Sequence, residues 1–280
     1  MIDTLVAIYI FILGTLVGSF LNVCIARWPR DLSVVRPRSK CPYCGHQLSW
    51  FENIPLVSWL ALRARCRCCD EPISIQYPLV ELAVGLAWML SFMHFGPTLN
   101  ALRMAVFVTI LLGIAITDVK HYLIPDGFTV FGLFFMLATS VIGLFINEQG
   151  PFVGPFDALV GACAGAGLVA IVGWLGEVTL KREAMGMGDV TFMAFAGAAL
   201  GPSRAIVSVF VGALLGALTF LAVVYPVARV RQSSYREQTE LALGAAAFDA
   251  PLVPFGVFLA PAALVTLLWG DVVLAWLLRI

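Results

Sequence analysis

Seven apolar stretches, each close to or above the length that crosses a bilayer, restrict this chain to a membrane fold. A transmembrane helix needs about 20 predominantly apolar residues to span a hydrocarbon core of about 30 Å. The stretches cover residues 5–26, 79–95, 101–117, 128–146, 156–180, 205–228 and 252–278. The 61% content of hydrophobic residues and the mean hydropathy of +0.95 exceed what a soluble core requires. The sequence therefore predicts an all-α integral membrane protein.

A shorter apolar run at residues 190–200 decides the number of helices. Basic residues in short loops stay on the cytoplasmic side of a membrane protein. With the N-terminus outside and eight alternating helices, all 17 basic residues lie inside except Arg103, Arg204 and Arg279. Seven helices would move the three arginines of residues 229–236 outside. We therefore expect about eight transmembrane helices, of which the first is an uncleaved signal anchor.

The longest non-membrane segment, residues 28–77, carries five of the seven cysteines. It separates a first helix at residues 1–27 from a membrane region at residues 78–280, and these are the three expected domains. Cys41, Cys44, Cys66 and Cys69 form two Cys-x2-Cys pairs with a 21-residue spacer, close to the spacing of zinc ribbons. A pair of disulfides is the alternative, but a cytoplasmic loop is kept reduced. Cys68 could replace Cys66 or Cys69 as a ligand.

Two aspartates at the ends of apolar runs are the candidate chemical groups. Asp118 ends the run before Lys120, and Asp189 closes Gly186-Met187-Gly188-Asp189. The eight-helix topology puts both on the cytoplasmic side, where a carboxylate at the bilayer edge is costly unless it has a task. A pair of carboxylates suggests acid/base chemistry. As alternatives, Asp118 could simply end its helix, and Asp189 could be the N-cap of the next one.

The order and spacing of the motifs resemble one known family, the bacterial prepilin peptidases, also called type IV leader peptidases. The resemblance covers almost the whole chain. The matching motifs are Gly18 to Val23, Arg27-Trp28-Pro29, Ser39 to His46, Trp50 to Leu56, Cys66 to Cys69, Pro72-Ile73-Ser74, Tyr77 to Glu81, Asp118 to Asp126, Glu183 to Asp189 and Pro254-Phe255-Gly256. Each motif alone is weak or moderate support, whereas the series is specific.

The resemblance implies a multi-pass aspartic endopeptidase of the bacterial inner membrane, with its active site facing the cytoplasm. Members of the family remove the basic leader from type IV prepilins and type II secretion pseudopilins, typically after a glycine. Many then methylate the new N-terminal amine with S-adenosylmethionine. The implied partners are these substrates and membrane lipid, with the pilus or secretion assembly machinery as a further candidate.

By motif position, the resemblance makes Asp118 and Asp189 the catalytic pair. Two neighbouring carboxylates cannot both ionise easily, so the pair should hold one proton. One carboxylate would activate a water while the other polarises the scissile carbonyl; which does which is left open. The chain has no Gly-x-Gly-x-x-Gly loop following a strand. Methyl transfer therefore follows from the resemblance alone, and the residues that bind the methyl donor stay unassigned.

Other functions are considered beside this one. A peptidase without methyltransferase activity would need the same aspartates. A transporter would use membrane carboxylates to carry ions, but would be expected to show an inverted repeat or polar residues at the midplane of several helices. A non-catalytic zinc scaffold for pilus assembly would not need both aspartates. The net charge of zero gives no indication of nucleic-acid binding.

Overall fold

The structure, a computed structural model, describes residues 2–181, 185–227 and 254–277. This described part of the chain is helical and forms no named strand. The helices are α1 Ile2–Arg27, the short α2 Val57–Ala61, α3 Gln76–Phe95, α4 Leu99–His121, α5 Asp126–Phe145, α6 Pro155–Leu180, α7 Met187–Leu200, α8 Pro202–Thr219 and α9 Gly256–Leu277. A π-helical turn, Phe220–Val224, follows α8.

The seven predicted apolar stretches correspond to the seven helices that are long and apolar enough to cross a membrane. The eighth, α7, has 14 residues and is about 21 Å long at 1.5 Å per residue. The predicted all-α membrane fold with a cysteine-rich segment after its first helix is confirmed. The arginines at 182, 229, 231, 236 and 279, the acid at 183 and the polar connector at 231–250 lie outside the described residues.

Close glycine contacts show that α6 and α7 form an antiparallel pair. Gly161 lies against Gly197, while a β-carbon at Gly165 would come 2.5 Å from the carbonyl oxygen of Met193. The contacting residue numbers rise along one helix as they fall along the other. Small residues therefore pack these helices closely, as membrane helices do. Gly167 does not take part in this contact, because a β-carbon there would meet nothing within 4 Å.

The helices define two ends of the bundle, which we call the first end and the opposite end. At the first end α1, α4 and α6 finish, and α3, α5, α7 and α9 begin. The side chain of Ile124, between α4 and α5, lies against both Gly188 of α7 and Gly256 of α9. At the opposite end, Arg204 at the start of α8 pairs with Asp271 of α9. Since α7 begins at the first end and leads to α8 at the other, eight helices alternate in direction.

The two helices that carry the candidate aspartates are the interior ones. Among the seven long helices, α4 is the most buried: 56% of the residues in its most apolar 18-residue stretch lie inside the bundle. In α7, the side chains of Phe192, Met193 and Phe195 are fully buried. The surrounding helices face outward with apolar side chains such as Phe134 and Phe210, which suits contact with lipid. The bundle therefore holds the aspartates on its most rigidly packed elements.

Candidate active site and cysteine cluster

Asp118 lies in the last turn of α4, and its side chain is buried at 5% exposure. The helix ends three residues later, where Tyr122 takes a left-handed conformation and its amide donates to the Asp118 carbonyl. The Asp118 carboxylate accepts a hydrogen bond from the backbone amide of Val257, at 3.2 Å. Val257 belongs to the first turn of α9, whose positive helix end favours a carboxylate. An ionisable group is thus held by backbone amides at the first end of the bundle.

Asp189 is the third residue of α7 and is partly exposed. The sequence suggested an N-cap role, but the N-cap position is occupied by Gly186. The amide of Asp189 donates to the Gly186 carbonyl at 3.1 Å, and the positive end of α7 favours a carboxylate in its first turn. The carboxylate therefore lies at the start of its own helix, and the residue stays partly accessible.

The two aspartates lie close enough for their charges to interact. The charge of Asp118 acts on the Asp189 carboxylate. Ile124 packs between two glycines, one beside each aspartate. Its Cβ lies 2.9 Å from the β-carbon position of Gly188, which precedes Asp189, and its Cδ1 lies 2.9 Å from that of Gly256, which contacts Asp118. The Gly-x-Gly motif thus leaves space for Ile124 at Gly188. Two neighbouring carboxylates, one buried and one accessible, can exchange protons with a reactant between them.

The end of α1 supports the loop that carries Ile124. The indole of Trp28 stacks edge-on against Phe128, with ring centroids 4.5 Å apart. A β-carbon at Gly127 would come 2.6 Å from the same indole, so only glycine permits this approach. Trp28 therefore packs the start of α5, next to the candidate site, against the first helix.

The structure also gathers four cysteine thiols in residues 28–75. The sulfurs of Cys41, Cys44, Cys66 and Cys69 all lie within 4.8 Å of one another. The Cys41–Cys69 and Cys44–Cys66 sulfur distances are 3.8 and 4.0 Å. A disulfide needs about 2.05 Å, whereas four thiolates about 2.3 Å from a tetrahedral zinc lie about 3.8 Å apart. The donor set therefore fits zinc, and the exposed Cys68 is not part of it.

Each Cys-x2-Cys pair lies in a short turn, residues 41–46 and residues 66–71, which we call the two knuckles. The knuckles have the same backbone hydrogen bonds, 25 positions apart. In the first, the amide of Cys41 donates to the His46 carbonyl and the amide of Gly45 donates to the Cys41 carbonyl; residues 66–71 form the same two bonds. Isolated antiparallel bridges flank each knuckle, Lys40 with Gln47 and Arg65 with Pro72. This arrangement resembles that of a zinc ribbon.

Two buried glutamates fix the cysteine-rich segment. The Glu52 carboxylate accepts from the amide of Ser49 at 2.8 Å and lies 3.3 Å from the His46 ring. These contacts, the amide first, lower the pKa of Glu52. The Glu81 carboxylate, in α3, accepts from the amide of Leu56 at 2.8 Å. Glu81 therefore joins the membrane bundle to the cysteine-rich segment.

The sequence did not identify the contact between Asp118 and the start of α9. Pro254-Phe255-Gly256 was only part of a motif series, and its signal was a glycine at the start of an apolar run. Asp126, which ends the motif that Asp118 begins, lies exposed in the first turn of α5. It is not part of the pair formed by Asp118 and Asp189.

Comparisons with known proteins cover both the cysteine-rich segment and the bundle. Residues 12–95 match the bacterial peptidase A24 N-terminal domain. Residues 105–221, which include both aspartates, match the type IV leader peptidase family. No solved structure matches the chain.

Several curated relatives carry the name prepilin leader peptidase/N-methyltransferase. The relative from Stutzerimonas stutzeri is 37% identical, over 94% of this chain and 91% of its own length. The one from Pseudomonas aeruginosa is 35% identical, over 93% and 89%. The one from Myxococcus xanthus is 44% identical over 78% of this chain, and that match spans 64% of the relative.

Proposed function

This chain belongs to the type IV leader peptidase family, as its motifs predicted, and on that premise we propose that Asp118 and Asp189 form its peptidase centre. The enzyme processes prepilins and N-methylates the product, in agreement with the names of its relatives. It is a multi-pass membrane protein. We further propose that it lies in the bacterial inner membrane with the first end of the bundle facing the cytoplasm, because the basic residues of 28–77 belong to that end.

The observation that carries the proposal is the pairing of a buried and an accessible carboxylate at one end of the bundle. Asp118 is fixed by the amide of Val257, and its charge acts on Asp189. A structural helix-ending role for Asp118 would not require a second carboxylate beside it. Two carboxylates that share a proton can act as base and acid in the same step.

In the proposed reaction, one carboxylate accepts a proton from a water as the water oxygen attacks the carbonyl carbon before the cleaved bond. The other carboxylate, protonated, donates its proton to the carbonyl oxygen. When the tetrahedral intermediate collapses, that proton returns to its carboxylate, and the leaving amine receives the proton that the first carboxylate took. The carbon–nitrogen bond breaks, one water is consumed and both carboxylates regain their initial states. No side chain acts as a nucleophile.

The location of the pair suits a substrate that is partly in water and partly in lipid. A prepilin or pseudopilin has a basic leader followed by an apolar helix. Asp118 and Asp189 lie at helix ends, where the leader could arrive from the aqueous side and the helix from the bilayer. Partners in the pilus or secretion machinery would meet the enzyme at the same end.

Zinc is proposed as a structural ion held by Cys41, Cys44, Cys66 and Cys69. Their sulfur separations fit a tetrahedral site, and the repeated knuckles around them resemble a zinc ribbon. The ion would link two chain segments that otherwise bury little apolar surface. It would take no part in peptide cleavage.

S-adenosylmethionine is proposed to bind between the end of α1 and the cysteine-rich segment. A pocket of about 340 Å³ lies there, within the roughly 300–1,000 Å³ of small-molecule sites. Its walls include Arg38, Trp50 and Asn53, which offer a cation for a carboxylate, an indole for an adenine and an amide for hydrogen bonds. When bound, the donor would supply the methyl group for the new N-terminal amine. The residues present therefore fit it.

The test compares wild type with Asp118→Asn and Asp189→Asn in lipid, with a purified prepilin and with or without S-adenosylmethionine. Loss of leader is followed by mass, as is the addition of one methyl group to the mature chain. Each variant should reduce cleavage by about 10²- to 10⁴-fold. Asp126→Asn is the matched control, because Asp126 is exposed at the same end of the bundle and should leave cleavage unchanged.

Each outcome separates two functions. Cleavage by either variant at the wild-type rate would refute the aspartic mechanism. Failure of the wild type on several prepilins would favour a scaffold or transporter. Cleavage without methylation in the presence of S-adenosylmethionine would leave a peptidase alone. Methylation of a precleaved chain by the Asp variants would show that the two reactions use different residues.

A further inference from the structure

A second, smaller polar pocket lies at the first end of the bundle, where α1 ends, α3 begins and α4 ends. Its volume is about 240 Å³. It is separate from the aspartates, which do not line it, and nothing in the proposed reaction uses it. The polar side chains on its walls are Asn22, Arg30, Gln76, Tyr77, Lys120 and His121.

The pocket lies at the depth of lipid headgroups. Tyr77 on its wall is 45% exposed, and Tyr122, which follows His121, is 58% exposed. Exposed tyrosines at the ends of membrane helices mark the boundary between hydrocarbon and water. Three helix ends of a membrane bundle meet at this level, so the pocket opens where phosphate groups are abundant.

The charge of the pocket suits an anion. Arg30, Lys120 and His121 contribute three basic side chains, and no carboxylate is among the described residues that line it. Two of these basic residues also have a structural role. Lys120 and His121 are in the last turn of α4, where basic groups stabilise a helix, and Lys120 donates to the amide oxygen of Gln76.

Asn22 is not explained in the same way. Its side chain is buried at 3% exposure, and its amide nitrogen donates to the Tyr77 carbonyl at 3.1 Å. Its amide oxygen is buried too and accepts no hydrogen bond from any residue that the structure describes. A buried acceptor without a donor is destabilising. The pocket therefore combines basic groups for an anion with an acceptor that lacks a donor.

We propose that this pocket binds the headgroup of an anionic phospholipid that carries a hydroxyl group, of the phosphatidylglycerol type. The phosphodiester lies among Arg30, Lys120 and His121, and a glycerol hydroxyl donates to the amide oxygen of Asn22 once that side chain, which lines the pocket, has rotated to expose the oxygen. Phosphatidylethanolamine is disfavoured because its ammonium group would approach three basic side chains. The volume is below the roughly 300–1,000 Å³ of typical small-molecule sites, so the pocket fits a headgroup better than a whole adenosyl donor.

The proposal is tested by lipid binding to the full-length protein, without a peptidase substrate. Purified, delipidated protein in detergent is titrated with one lipid at a time, and bound lipid is counted by native mass spectrometry. Phosphatidylglycerol should bind with a stoichiometry of one and at least about tenfold more tightly than phosphatidylethanolamine. Phosphatidylmethanol has the same charge and phosphodiester but no hydroxyl, and should bind about fivefold more weakly than phosphatidylglycerol.

Variants assign the binding to this pocket. Arg30→Gln and Lys120→Gln should each weaken phosphatidylglycerol binding by about three- to tenfold, while Lys40→Gln should change it by less than about twofold. Lys40 is the matched control because, like Arg30, it follows α1 and is exposed. Unlike Arg30, it does not line the pocket. Asn22→Leu should abolish the preference for phosphatidylglycerol over phosphatidylmethanol. Should Asn22→Leu not fold, the comparison of the two lipids on wild type still tests the role of the hydroxyl.

Several results would overturn the proposal. Equal binding of phosphatidylglycerol and phosphatidylethanolamine would mean that the pocket does not select a headgroup. Equal weakening by Lys40→Gln would indicate a diffuse charge effect. Displacement of the lipid by inorganic phosphate or glycerol phosphate at the same concentration would indicate a site for a soluble phosphate. Displacement by S-adenosylmethionine would assign the basic residues to the methyl donor.

Discussion

The carboxylate of Asp118 accepts a hydrogen bond from the backbone amide of Val257, 3.2 Å away in space and 139 residues away in sequence. The contact joins the end of α4 to the start of α9. It is possible because Gly256 has no side chain: a β-carbon there would lie 2.9 Å from the Asp118 carboxylate oxygen. The last described helix thus orients a candidate catalytic group.

Gly256→Ala is expected to reduce prepilin cleavage without unfolding the bundle. The added methyl group must displace either the Asp118 carboxylate or the side chain of Ile124, which also lies 2.9 Å from the β-carbon position. A small displacement of a catalytic group can lower the rate by about 10- to 100-fold. The measurement is the kcat/KM for leader release, with thermal unfolding followed in the same detergent.

Gly167→Ala is the matched control for that substitution. Gly167 lies inside α6, and a β-carbon there would meet nothing within 4 Å. This control should keep both the rate and the unfolding temperature. If Gly256→Ala were as active as Gly167→Ala, the Val257 contact would have no role in catalysis.

Removal of any one of the four clustered cysteines should release the metal, whereas removal of Cys68 should not. Cys41→Ser, Cys44→Ser, Cys66→Ser and Cys69→Ser each take one thiolate from the site. Cys68→Ser is the control, because Cys68 neighbours the cluster but is exposed and outside it. Zinc per chain is measured by elemental analysis after dialysis and should fall from one to nearly zero in the first four variants. Retention of zinc by all five variants would exclude the proposed ligand set.

Replacing glycine by alanine in one knuckle and aspartate by glycine in the other should have different effects on zinc affinity. Gly45 and Asp70 occupy equivalent turns and have φ angles of +72° and +59°, a region that costs most other residues roughly 1–2 kcal/mol. Gly45→Ala should therefore weaken zinc binding by about 5- to 30-fold. Asp70→Gly should preserve the affinity, because glycine adopts this conformation readily. Zinc affinity is measured by competition with a coloured chelator.

Asp70→Ala separates backbone conformation from charge. Asp70 forms an exposed ion pair with Arg65 at 3.0 Å, which both Asp70→Gly and Asp70→Ala remove. If the turn conformation determines stability, only the alanine variant should bind zinc more weakly. Equal weakening in the two variants would mean that the ion pair is the important contact.

The sequence predicted the elements well because the bilayer dictates them. Backbone groups in lipid must be satisfied within a helix, so the long apolar runs could form little else. The spacing of Cys41, Cys44, Cys66 and Cys69 also predicted their proximity, because each pair is local. The contact of Asp118 with Val257 was not predictable, since no local pattern specifies which helix ends meet. Neither was the approach of Ile124 to Gly188 and Gly256.

At the opposite end of the bundle, the ion pair of Arg204 and Asp271 should contribute to stability but not to catalysis. The Arg204 side chain is 17% exposed and donates to both carboxylate oxygens of Asp271, at 2.9 and 2.5 Å, and to the Pro151 carbonyl. Asp271→Asn should lower the free energy of unfolding by about 0.5–1 kcal/mol. Arg204→Met should lower it further, because it also removes the hydrogen bond to Pro151. Unfolding is measured at low and high salt, since screening should reduce the difference between wild type and Asp271→Asn, and leader cleavage by both variants should match wild type. Loss of cleavage in a stably folded Asp271→Asn variant would show that the two ends of the bundle are coupled.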